Sequence, residues 1–130
     1  MKRYHTIVKI EKVRKELQLE HDEEALRVAK TIPIERIKNM SDFSVIAEAY
    51  FQNGEYETAK QYFQMIYEKT GSRRVLWQLI HTTIRLKQTE EAEEYLKKFI
   101  RLAPDDVYQY IFRYQLDRLE KKPIEDRIQT

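Results

Sequence analysis

The chain has 130 residues, 24 Lys and Arg against 22 Asp and Glu for a formal net charge of +2, two Gly, three Pro and no Cys. So few turn residues argue against a β-sandwich or barrel, and the missing Cys excludes disulfide frameworks, thiolate zinc sites and cysteine nucleophiles. The balanced charge gives no general basis for binding a polyanion, so an all-α domain with one packed core is expected.

Apolar periodicity predicts helices near residues 6–20, 22–32, 41–53, 56–70, 73–87, 89–103 and 106–121, with a short last one beginning at Pro123. In the first pair, Ile10, Val13 and Leu17 make one row, and Ala25 opens a second with Ala29 and Ile32. In the next pair, Phe43, Ile46, Ala47 and Tyr50 precede Ala59, Phe63 and Ile66. Trp77, Ile80 and Ile84 then precede Ala92, Leu96 and Phe99. Each row keeps to one face at 3.6 residues per turn, so every pair reads as two amphipathic helices in antiparallel contact.

The rows repeat. The anchors Ile10, Phe43 and Trp77 are 33 and 34 residues apart, and Ala25, Ala59 and Ala92 are 34 and 33 apart. Repeats are therefore expected near 6–39, 40–72 and 73–105, with an incomplete fourth at 106–130. The joints carry matching punctuation: Asn53-Gly54 and Thr70-Gly71 as left-handed helix ends, Ser72 as an N-cap, and Asp22-Glu23-Glu24 and Thr89-Glu90-Glu91 as a capping side chain with carboxylates at the positive end of a helix dipole.

The pattern resembles the tetratricopeptide repeat, W-x-x-L-G-x-x-Y, then A-x-x-x-F, then P, at a period of about 34. Residues 40–72 match it best, with Phe43, Ile46, Ala47, Tyr50, Ala59 and Phe63 in register and Gly71 in place of the Pro. The third repeat keeps Trp77, Ile80, Ala92 and Pro104 but has His81 at the small position, and the first matches in spacing with Arg14 there. The resemblance implies a right-handed superhelix of stacked helix pairs whose first helices line a concave wall. Carried onto this sequence, the wall is Glu11, Lys15, Gln18, Glu48, Phe51, Gln52, Gln78, Thr82, Arg85 and Phe112, a mixed polar lining with isolated aromatics that suits a peptide or helical segment. Members that clamp a chaperone's C-terminal carboxylate use Lys, Asn and Arg on this wall. The matching places here hold Glu11, Lys15, Val45, Val75 and Leu79, so the resemblance does not extend to that activity.

Catalysis, cofactor and metal binding have no candidate residues. His5, His21 and His81 lie in three different elements without a ligand-spaced partner, and the glutamates at 90, 91, 93 and 94 are explained by the dipole of the helix they open. The basic start, Lys2 to Lys15, is followed at once by Glu16, Glu20 and Asp22, so a nucleic-acid partner is not expected. No apolar run approaches the roughly 18 residues of a membrane span or forms a signal peptide. A cytoplasmic scaffold binding a protein partner is the expected role. Self-association, or service as a regulatory domain of a larger transcription or signalling protein, is the alternative. Ile111, Phe112 and Tyr114 look poorly covered by the two helical turns that begin at Pro123. This suggests the front portion of a longer repeat protein, or an end that pairs with a second copy.

Overall fold

A computed structural model describes the backbone of residues 2–129 and the side chains of residues 5–121. It contains seven α-helices: α1 Lys2–Gln18, α2 Asp22–Ala29, α3 Met40–Gln52, α4 Tyr56–Thr70, α5 Arg73–Arg85, α6 Thr89–Leu102 and α7 Tyr108–Gln129. A 3-10 turn, Ile34–Arg36, links α2 to α3, and no strand occurs among the described residues.

Two compact units divide the chain, residues 1–70 and residues 71–130. In the first, α1 pairs with α2 and α3 with α4, while α3 also packs on both α1 and α2. Its interior is built from the expected rows: Ile10, Val13, Ala25, Phe43, Ile46, Ala47, Ala59 and Phe63 are all buried. Leu17 and Tyr50 are half-buried at the edges. Tyr62 fills the space between two α3 rings, 5.1 Å from Phe43 and 5.4 Å from Tyr50 between centroids. In the second unit α5 pairs with α6, and α7 lies against both. Ile80, Ala92, Leu96 and Phe99 are buried there, together with Leu76, Leu79 and Leu116, while Trp77 and Ile84 remain half-buried.

One joint geometry recurs at three places. At the ends of α1, α3 and α5 the amides of His21, Glu55 and Gln88 donate to the carbonyls of Glu16, Tyr50 and Thr83 at 2.8, 3.0 and 2.9 Å. The preceding amides, of Glu20, Gly54 and Lys87, donate to Leu17, Phe51 and Ile84, each at 3.0 Å. This is the Schellman arrangement, which satisfies carbonyls that the helix end would leave bare. The residue that turns left-handed is Gly54 in the middle joint (φ 78°) but Glu20 (φ 60°) and Lys87 (φ 59°) in the outer two.

Several local expectations are corrected. Asn53 is not left-handed; its amide side chain instead donates to the carbonyls of Ala49 and Asp22, tying the end of α3 to the start of α2. Asp22 and Thr89 are first helical residues rather than caps, and the cap residues before them, His21 and Gln88, make no capping side-chain bond. Helix α7 runs through Pro123 without a break, so no separate eighth helix exists among the described residues. A proline interrupts one backbone hydrogen bond, and the helix continues on either side of the gap. Ser72 does cap α5, its hydroxyl accepting from the Arg74 amide at 3.2 Å. Asn39 caps α3, accepting from Asp42 at 2.8 Å and donating back to its carboxylate. The Asn-x-x-Asp spacing could have announced that cap, as a relative of the capping box.

Candidate functional site

The residues expected on a concave wall fall into two sets, one in each unit. In residues 1–70, Glu11, Lys15 and Gln18 lie along α1, and Gln52 is exposed on α3. Glu48 and Phe51 are half-buried, with the Phe51 ring set edge-on to Tyr56 at 5.2 Å. Arg14, at the position where the repeat normally has a small residue, reaches across to α3 and meets Asp42 at 3.2 Å. That side chain joins two helices in place of the close approach a small residue would allow.

In the second unit the structure removes two of the expected residues. Thr82 is completely buried, its hydroxyl donating to the Gln78 carbonyl at 2.7 Å. Phe112 is also completely buried, its ring 5.2 Å from His81, 5.8 Å from Phe99 and 5.9 Å from Tyr108. The cause is the placement of α7 over both α5 and α6, which inserts Phe112 and Leu116 into the interior. Phe112 is thus the centre of an aromatic cluster and not part of a wall. Val75 and Leu79 are buried as well, as is Val45 in the first unit, so none of the three could contact a carboxylate.

A groove of about 550 Å³ stays open between α5 and α7, lined by His81, Ile84, Arg85, Ile111, Tyr114, Gln115, Arg118 and Leu119. Arg85 is the wall residue that survives in it, while Gln78, about two helical turns earlier on α5, is half-buried. Ile111 is 44% exposed and Tyr114 62%, the reverse of what a packed apolar row would show. The Arg118 guanidinium stands over the Tyr114 ring, 5.8 Å from its centroid. His81 meets Trp77 edge-on with ring centroids 4.4 Å apart, and burial, with Arg85 nearby, holds its pKa below the ordinary value. The shift favours the neutral imidazole over the charged ring.

Among the described residues no group of His, Asp and Glu is placed to hold a metal ion, and no helix is long and apolar enough to cross a membrane. Gln115, Arg118 and Leu119 carry no sequence signal as site residues, because α7 has large apolar side chains around much of its circumference. Tyr108, Ile111, Phe112, Tyr114, Leu116 and Leu119 do not define one face, and only the packing of α7 on α5 and α6 decides which of them stay outside.

Comparison with known proteins agrees with the repeat. Two family models described as tetratricopeptide repeat match residues 46–69 and 78–106. A solved structure of the MamA RS-1 ArsTM double mutant superposes with a TM-score of 0.74 and 17% identity, covering 90% of this chain and 66% of that one. At that identity the likeness shows the fold alone, and the chain spans just under two-thirds of that relative. No curated protein matches the sequence.

Proposed function

Because the chain carries tetratricopeptide repeats, we propose that it is a non-enzymatic scaffold that binds a peptide or helical segment of a protein partner. The observation that carries this reading is the α5–α7 groove, where Ile111 and Tyr114 stand exposed beside Arg85 and Arg118. Apolar side chains of that size, left outside a core that had room for Phe112 next to them, give a binding surface with anchors and a polar rim. Glu11, Lys15, Gln18 and Gln52 of the first unit are polar contact candidates without a comparable anchor.

A photo-crosslinking amino acid placed at Tyr114, and separately at Lys15 and Gln52, tests the reading in cells. Adducts at Tyr114 that vanish when Ile111→Asp is added are the expected result. Adducts confined to Lys15 and Gln52 would move binding to the first unit. A second reading, self-association, is favoured by the same exposed side chains, joined by Val107 and Tyr110 at 65% and 69% exposure. Crosslinks from Tyr114 into a second copy of the chain would establish it in place of a heterologous partner.

A further inference from the structure

We infer that the segment taken by the α5–α7 groove is acidic and amphipathic, setting side-chain carboxylates against Arg85 and Arg118 and apolar anchors against Ile84 and Ile111. This rests on the groove being a docking surface, and adds the chemistry of what docks. The chain as a whole has 24 basic and 22 acidic residues, yet the groove lining contains two arginines and no carboxylate. Local charge therefore departs from the balance of the whole, as electrostatic complementarity to an anionic partner requires.

Neither arginine is neutralised by an ion pair among the described residues. The contrast lies just over one turn earlier on the same helix as Arg118, where Arg113 grips both oxygens of Glu93 on α6 at 2.6 and 3.0 Å. Helix α7 thus directs one guanidinium into its own packing and holds the next over the groove. The Arg118 guanidinium lies within cation–π range of Tyr114, 5.8 Å from the ring centroid, and its N–H groups are of the kind that receive a carboxylate in the two-pronged manner.

The apolar part of the lining separates a peptide from a nucleic acid. Ile84, Ile111 and Leu119 are aliphatic and accommodate a leucine or isoleucine side chain, whereas a single strand needs successive aromatic platforms and Tyr114 already lies beneath Arg118.

The test uses the full chain and three fluorescein-labelled helical peptides, amidated at the C-terminus so that only side chains carry carboxylates. All share a leucine stripe at i, i+3 and i+7 and differ in having Glu, Gln or Lys at the flanking positions. Fluorescence anisotropy is expected to rank Glu tighter than Gln by about fivefold or more, with the advantage shrinking as salt rises. The double variant Arg85→Glu/Arg118→Glu, with unchanged circular dichroism, is expected to prefer the Lys peptide. Equal affinity for the Glu and Gln peptides overturns the inference while leaving the docking surface intact. Binding that survives Ile111→Ser/Tyr114→Ser unchanged, or no binding by any of the three, removes the docking surface itself. Tighter binding of a single-stranded oligonucleotide than of the Glu peptide, lost in the double arginine variant, replaces the inference with a nucleic-acid partner.

Discussion

Helices α3 and α7 occupy equivalent places in the two units, yet one is interior and the other is half surface. Each packs on the two helices that precede it, α3 on α1 and α2, α7 on α5 and α6. Helix α3 then receives α4, and Phe43 and Ile46 disappear beneath it. No later helix packs on α7 among the described residues, so Ile111 and Tyr114 remain in solvent. The bridges to the preceding first helix differ as well: an ion pair from Arg14 to Asp42 in one unit, an imidazole against the Phe112 ring in the other. The same repeat therefore yields a closed, charge-braced surface in the first unit and an apolar groove beside an aromatic cluster in the second.

The largest test of this contrast is Phe112→Ala. Removing a fully buried ring at the centre of the α5–α7 cluster costs about 3–5 kcal/mol. Hydrogen exchange should show α5, α6 and α7 losing protection while α1 to α4 keep theirs, and uniform loss across all seven helices would remove the distinction between the units. A middle-sized test uses the shared joint. Lys87→Gly and Glu20→Gly should each raise the urea midpoint by the equivalent of about 0.5–1 kcal/mol, because a left-handed backbone is strained for a residue with a Cβ. Gly54→Ala should lower it by about 1 kcal/mol. A Cβ at Gly54 would meet nothing within 4 Å, so that cost is conformational and not steric crowding. If all three variants leave the midpoint unchanged, the left-handed conformation carries no strain for a residue with a Cβ at these joints.

The smallest effect concerns Glu93. The hydrogen bond from Arg113 holds its carboxyl below the usual carboxylate range, so it is ionised more readily folded than unfolded. Its stabilisation is present above the unfolded pKa and is lost as pH falls through the lower folded value. Glu93→Gln should therefore cost about 0.2–0.5 kcal/mol at pH 7, and the gap from the parent chain should close in acid. Glu120 is pushed the opposite way by its hydrogen bond to Glu93, and its small contribution fades as pH rises. A melting-temperature difference that stays constant from pH 7 to strong acid would show that the Glu93–Arg113 contact does not brace α6 to α7.

Much of this architecture is legible in the residues themselves. Ile10, Phe43, Ala59 and Phe99 are large or small at fixed spacing, and burial comes directly from periodicity on one helix face. The joints are half legible. Gly54 and Gly71 announce a left-handed residue, whereas Glu20 and Lys87 adopt the same conformation with nothing in their chemistry to mark it. The site is least legible, since it depends on tertiary contact: Phe112 and Ile111 are adjacent and both apolar, and only the seating of α7 buries one and leaves the other outside.

The Schellman joint also bears on how such a chain tolerates change over generations. Its hydrogen bonds run between backbone groups alone, at 2.8–3.0 Å in three places with three different residues at the turn. Information about where a hairpin bends is thus stored in the main chain and not in any one side chain. A joint of this kind can be exchanged for another without rewriting its neighbours, and grafting residues 51–56 in place of 84–89 should leave α5 and α6 paired as before.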